Sequence, residues 1–150
     1  MKKIHSTHTI LSIKQVCAKF VQIAIEAPQL AKTGRPGQFL NVRVSDGSDP
    51  LLRRPFGIYR AQDNIVEMLV EIRGRGTAIL AKKKPGETLD ILGPLGRPFT
   101  LPAPQVKQVI LIGGGIGVAP LLAMAQALKD SGKQLILLYG ARNSEYLFDL

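Results

Sequence analysis

From Val109 to Met124 the chain reads Val-Ile-Leu-Ile, then Gly113-Gly114-Gly115-Ile116-Gly117, then Val118-Ala119-Pro120-Leu121-Leu122-Ala123-Met124. A short apolar run, a glycine cluster and a second apolar run predict a buried strand, a tight turn and a helix start. Glycines reach backbone angles that a Cβ forbids and leave room for a close neighbour. The first free N–H groups of the helix would point back at the turn and favour an anion. Pro120 is tolerated early in a helix, where its missing N–H costs little. The pattern is Gly-x-Gly-x-x-Pro (Gly115, Gly117, Pro120), not the dinucleotide fingerprint Gly-x-Gly-x-x-Gly. The next apolar run, Gln134 to Tyr139, does not end on the acidic residue expected to hold a ribose. Two readings stay open here: a phosphate-facing turn, and a turn that only packs helix on sheet.

Val109 to Leu128 is also long and apolar enough to raise a membrane span. Four glycines and a proline in its middle argue against one, each glycine costing about 1 kcal/mol of helix and a proline about 3. No tight basic cluster flanks either end, and His5 to Thr9 is polar where a secretory signal would be apolar. The expectation is a soluble, cytoplasmic protein without membrane contact.

A length of 150 residues allows one or two small domains, and the 45% apolar share is that of an ordinary globular chain. The single cysteine, Cys17, excludes an internal disulfide framework and any all-cysteine metal or iron–sulfur site; it reads as a small buried group. His5 and His8 are the only histidines. They fall short of a zinc site or a nucleophilic triad, at a terminus expected to fray. No metal site and no catalytic residue is expected. The formal charge of +9 favours acidic partners such as nucleotide phosphates, or reflects a generic basic surface.

The first hundred residues show a period of two. Val21, Ile23 and Ile25 share one face, as do Leu40, Val42 and Val44, and Val66, Met68, Val70 and Ile72 alternate with Glu67 and Glu71. Pro36-Gly37, Asp46-Gly47, Asp63-Asn64 and Pro85-Gly86 separate these runs as turns. About six short strands at this spacing predict a small antiparallel barrel. Thr77 to Lys84 instead reads as a short helix, with Lys82, Lys83 and Lys84 at its C-terminal end.

Two places in the barrel carry possible chemistry. In Leu51-Leu52-Arg53-Arg54-Pro55-Phe56-Gly57, Pro55 biases Arg54 towards an extended backbone. Its planar fork could pair with a diphosphate, and Phe56 could lie against a flat ring. Equally, both arginines could be surface residues flanking a strand. Gly74-Arg75-Gly76-Thr77 before the helix offers N–H groups and a hydroxyl to an anion, or an ordinary cap made by Thr77.

Taken in order, Pro36-Gly37-Gln38-Phe39, Arg54-Pro55-Phe56-Gly57, Gly74-Arg75-Gly76-Thr77, Gly93-Pro94-Leu95-Gly96, the Gly115–Pro120 turn and Tyr139-Gly140-Ala141-Arg142 resemble the ferredoxin reductase-like flavoproteins. Within them the pattern is most similar to the electron-transfer subunits of dihydroorotate dehydrogenase, and it spans essentially the whole chain. The resemblance implies a six-stranded antiparallel FAD-binding barrel over 1–100. The start of a Rossmann-like NAD-binding domain would follow over 101–150.

On that resemblance Arg54 would hold the FAD diphosphate, and Pro55, Phe56 and Gly57 would lie along the isoalloxazine ring and ribityl chain. Leu69, Val70 and Glu71 match the strand that passes the flavin, and Gly76 and Thr77 would set a helix start on the diphosphate. Gly113, Gly114, Gly115, Gly117 and Pro120 would face NAD(H). The implied activity is that of an oxidoreductase subunit in pyrimidine biosynthesis. It would pass electrons between NAD(H) and a catalytic dehydrogenase subunit by way of FAD and a [2Fe-2S] cluster, within a hetero-oligomer, a heterotetramer at full length. Arg142 could recognise a 2′-phosphate or only close a turn.

The sequence departs from the family in three ways. Gly57 stands where a Ser or Thr is usual, and Glu71 where a basic residue is common. The cluster cysteines of the family lie beyond residue 150, so this chain does not hold the cluster. The chain is therefore expected to be truncated, with a two-stranded parallel sheet that cannot cover both of its faces. Apolar surface is expected on Leu111, Leu135, Leu137 and the helix. Such a piece is expected to keep FAD weakly. The competing functions are a ferredoxin–NADP reductase or sulfide dehydrogenase-type subunit and a basic barrel for single-stranded nucleic acid. No Trp and only three Tyr argue against the last.

Overall fold

Alternating apolar residues in the first part of the chain form strands that close on themselves. A computed structural model describes residues 4–149. The barrel strands are β1 (Ile4–Cys17), β2 (Phe20–Glu26), β3 (Phe39–Arg43), β4 (Arg54–Gln62), β5 (Ile65–Glu71) and β6 (Thr88–Leu95). They close in the order β1-β2-β5-β4-β3-β6, every neighbouring pair antiparallel. The six-stranded barrel expected from the period of two is thus present.

Its core follows the alternation. Ile23, Ile25, Leu40, Val42, Val44, Val66, Met68, Val70 and Ile91 are fully buried in one cluster inside the barrel. Each such side chain contributes about 1.5–3 kcal/mol through removal from water. Helix α1 (Pro28–Thr33) plugs one end through the buried Leu30.

Helix α2 spans Arg75–Ala81, earlier and shorter than expected. Thr77 is its third residue rather than its cap: Thr77 Oγ1 accepts from the Arg73 and Gly74 N–H groups at 3.0 and 3.2 Å. The three lysines fall past the helix, where Lys83 pairs with Glu87 at 3.2 Å. The expected frayed terminus is also corrected. His5 and His8 sit in β1, which pairs with β6 on one side and β2 on the other and closes the barrel.

After the barrel come β7 (Gln108–Gly114), a single 3-10 turn at Gly115–Gly117, α3 (Val118–Leu128) and β8 (Gln134–Gly140). β7 and β8 pair in parallel. α3 covers one face of this sheet, packing Met124 and Leu128 on Leu111, with Leu135 and Leu137 half-buried beside them. The apolar surface therefore lies elsewhere than expected. Ile110, Ile112 and Leu138, on the opposite face, are exposed. Side chains alternate across a strand, so the helix can shield only one set.

A third apolar cluster joins barrel to helix. Phe20 on β2 and Leu69 on β5 point outward and bury Ala119 of α3, with Tyr59, Ile116, Tyr146 and Phe148 around them. Cys17 sits half-buried in the same cluster rather than fully enclosed. Among the described residues no helix is long and apolar enough to cross a membrane.

Candidate functional site

β4 leaves the loop before it with Arg54 at the barrel mouth, and alternation then decides what each residue can reach. Pro55 and Gly57 face outward; Phe56 faces the barrel core and is buried there. On β5, Leu69 and Glu71 face outward, while Val70 is enclosed in the barrel interior. The outward faces of these two strands and the start of α3 enclose a cavity of about 250 Å³. It is lined by Arg54, Pro55, Phe56, Gly57, Leu69, Glu71, Arg73, Thr77, Ile116, Ala119 and Pro120.

Three segments far apart in sequence therefore meet at one place. Phe56 is shared: its side chain packs in the barrel core, and it also lines the cavity. Pro55, Gly57, Leu69 and Pro120 give the cavity its apolar wall. Val70 brings only backbone to this strand face.

Arg54 supplies the charge. Its guanidinium donates to the Leu52 carbonyl at 2.8 Å and the Arg53 carbonyl at 3.3 Å. Among the described residues no carboxylate pairs with it. Gly76 lies directly beneath: a Cβ there would come within 3.3 Å of Arg54 Nε. A side chain at position 76 would push the guanidinium away from the start of α2. An unneutralised cation beside a helix start and an apolar wall is a fit for an anionic group carrying a flat ring.

A second cleft of about 540 Å³ adjoins the first and shares Glu71, Arg73 and Ile116 with it. Gly114, Gly115, Gly140, Ala141, Arg142, Phe20 and Tyr146 complete it. Gly115 has φ +52° and nothing within 4 Å of a Cβ placed on it, so the turn is open towards solvent. Gly113 is different. A Cβ there would meet Leu121 Cδ1 at 2.9 Å and Val118 Cα at 3.0 Å, so this glycine serves close packing of α3 on β7. Gly117 lines neither cavity.

Glu71 sits between the clefts with its carboxylate largely covered. It lies 3.5 Å from Arg73 Nε and 3.9 Å from an Arg142 nitrogen. Arg142 also stacks over the Tyr146 ring, 3.9 Å from its centroid, and hydrogen-bonds the Tyr146 hydroxyl.

Arg73, Ile116 and Ala119 line the first cavity but were not singled out from sequence. Ile116 and Ala119 alternate with residues that were, inside the same glycine turn. Arg73 lies just before the Gly-x-Gly-Thr segment, where its charge gave no direction. Among the described residues no three His, Cys, Asp or Glu side chains gather as a metal site.

No family model matches the chain. It is 39% identical over 136 residues to a dihydroorotate dehydrogenase B (NAD(+)) electron transfer subunit of Desulforamulus reducens, covering 89% of this chain and 52% of the relative. The counterpart from a Geobacillus species is 37% identical over 143 residues, covering 93% of this chain and 56% of the relative. The chain thus spans about half the length of the curated relatives it matches. Among solved structures, the NADH-dependent reduced ferredoxin-NADP oxidoreductase matches 97% of this chain and 52% of its own, with TM-score 0.82 and 30% identity. The ferredoxin reductase of carbazole 1,9a-dioxygenase has TM-score 0.85 over 99% of this chain and 46% of its own; at 21% identity it supports the fold alone. The closed barrel, the glycine turn and these likenesses agree: the chain has the ferredoxin reductase-like fold, and over most of its length its sequence is similar to dihydroorotate dehydrogenase B electron transfer subunits.

Proposed function

We propose that this chain binds FAD at the junction of barrel and α3. It would serve as part of an electron-transfer subunit working between NAD(H) and a catalytic dehydrogenase partner. The carrying observation is the carboxylate-free Arg54 guanidinium at the edge of a cavity whose walls are Gly57 and Leu69 on one side and Pro120 on the other. Residues 1–100 form the flavin-binding unit in this reading, and 101–150 contribute the first part of a nicotinamide-binding unit.

The residues present fit the group. Arg54 would neutralise the diphosphate, and Gly76 lets it do so close to the start of α2. Pro55, Gly57 and Leu69 would seat the ring system, with Pro120 excluding water from its edge. Bound FAD supplies the chemistry, taking electrons in pairs from a reduced nicotinamide and releasing them singly. The residues of this chain set its position. The open turn at Gly114 and Gly115 would receive NAD(H) beside Glu71 and Arg142. The names of the relatives support a dihydroorotate dehydrogenase catalytic subunit as the partner, and in this reading the two would work in a hetero-oligomer. A [2Fe-2S] cluster of the kind implied by the family does not fit this chain, which has one cysteine, and no step is assigned to it.

Titration of the 150-residue chain with FAD, followed by flavin fluorescence and visible absorbance, tests the reading. Saturable binding is expected. Arg54→Ala should weaken FAD about tenfold or more and riboflavin, which lacks the diphosphate, far less. Absence of saturable FAD binding to the wild-type chain, or equal losses for the two ligands, would overturn it.

A further inference from the structure

Arg54 is held by two backbone carbonyls, and both belong to the loop in front of it. What fixes that loop is therefore what aims the guanidinium. Arg53 is three-quarters buried and makes its own set of bonds away from the cavity. One of its nitrogens donates to the Asp90 carbonyl at 2.9 Å and the Asn41 carbonyl at 3.4 Å. The other meets Asp90 Oδ2 at 2.8 Å. Asp90 Oδ1 in turn bonds His5 Nε2 at 2.7 Å. A single side chain thus ties the start of β4 to β3, β6 and β1. At the far end of the same loop, Asp49 pairs with Arg75 in the first turn of α2.

From this we propose that Arg53 is a positioning residue for Arg54. Its fork, clamped on Asp90 with His5 behind it, holds the Leu52 and Arg53 carbonyls where they aim the Arg54 guanidinium at the cavity. The inference rests on the FAD reading for its consequence, but the orientation of Arg54 can be read without FAD. A planar guanidinium suits this work because it bonds a carboxylate and a carbonyl at once in a fixed geometry. A lysine can offer charge but not the fork. The division of labour is between neighbours: Arg53 faces the protein, and Arg54 faces the ligand.

The test has two arms on the 150-residue chain. In the first, the Nε–H signal of the Arg54 guanidinium is followed by NMR without cofactor. Arg53→Ala should move it towards the value of a freely rotating arginine, and Arg53→Lys should leave it between the two. An unchanged Arg54 signal would overturn the proposal even if FAD binds as expected. In the second arm, FAD affinity is measured in a double-mutant cycle. Arg53→Ala alone should weaken FAD about tenfold, yet in an Arg54→Ala background it should add less than about twofold. Losses that multiply would mean that Arg53 acts on the fold generally and would overturn the proposal. Should Arg53→Ala fail to fold, Asp90→Asn loosens the same clamp from the other side and must show the same dependence on Arg54. A wild-type chain that does not bind FAD defeats the cofactor reading, while the NMR arm still decides the positioning.

Discussion

Gly57 on β4 and Pro120 on α3 face each other across the cavity mouth: a Cβ placed on Gly57 would lie 3.7 Å from Pro120 Cδ. That is ordinary van der Waals contact, so position 57 has room for a small side chain. Gly57→Ser is expected to fold normally. It should gain up to about 1 kcal/mol, since glycine in a strand interior is penalised by its conformational freedom. It also places a hydroxyl inside the cavity. With FAD present, the visible absorbance bands should shift relative to the wild type. Urea unfolding and absorbance spectra check the two halves separately.

The glycines of the turn are not equivalent, and substitution should separate them. Gly113→Ala forces a Cβ against the backbone of Val118 and the tip of Leu121. Overpacking of that kind costs about 1–3 kcal/mol. Gly117 has φ −63° and nothing within 4 Å of a Cβ, so Gly117→Ala should change stability by less than about 1 kcal/mol in either direction. Thermal melts of the two variants should therefore differ clearly. Equal melts would mean that α3 does not sit closely on β7.

Asp90 and His8 are two of the groups that make stability fall in acid. The carboxyl of Asp90 is held below the ordinary 3.8, first by the Arg53 hydrogen bond and then by His5, against an opposing burial effect. The His8 imidazole is held below 6.5 by burial, which outweighs its hydrogen bond to the Glu26 carbonyl. Both folded-state values are depressed, so the unfolded chain binds more protons and stability drops as pH falls. The His8 contribution is complete above 6.5 and is lost below it; that of Asp90 is lost below 3.8. Denaturant unfolding across this range should show a shallower loss below 6.5 in His8→Gln and a shallower loss below 3.8 in Asp90→Asn.

The parts of this fold that were legible share a property: the signal and its structural consequence lie in one short stretch. Leu40-Val42-Val44 and Val66-Met68-Val70 declared their strands by alternation, and Gly113–Pro120 declared its turn. The motif residues Arg54, Gly57, Leu69, Thr77 and Pro120 reached one cavity. What stayed hidden depends on distant partners. β1 reads as a polar terminus because Ser6 and His8 occupy inward positions beside Ile10, and their hydrogen bond at 2.8 Å is visible only in three dimensions. That Phe56 also packs in the barrel core does not show in the motif, which gives its type and not its strand face. Arg53 looked like a surface charge because Asp90, its partner, lies on another strand.

The sheet face opposite α3 offers the last test. Ile112 is 72% exposed, Ile110 53% and Leu138 52%, and they sit side by side on β7 and β8. Clustered apolar side chains of this size in water are a binding surface for hydrophobic dyes and a cause of self-association. The chain should enhance the fluorescence of an anilinonaphthalene sulfonate dye while still folded. Replacing Ile112 and Leu138 by threonine should cut that enhancement at least by about half. Stability should change little, because strand positions accept β-branched residues and neither side chain contributes to the cluster under α3. Dye fluorescence measured alongside near-ultraviolet circular dichroism distinguishes this face from loosening of the barrel. A loss of dye signal without loss of tertiary signal locates the patch on β7 and β8, and an undiminished signal places it on other exposed apolar residues, such as Leu51 and Leu52.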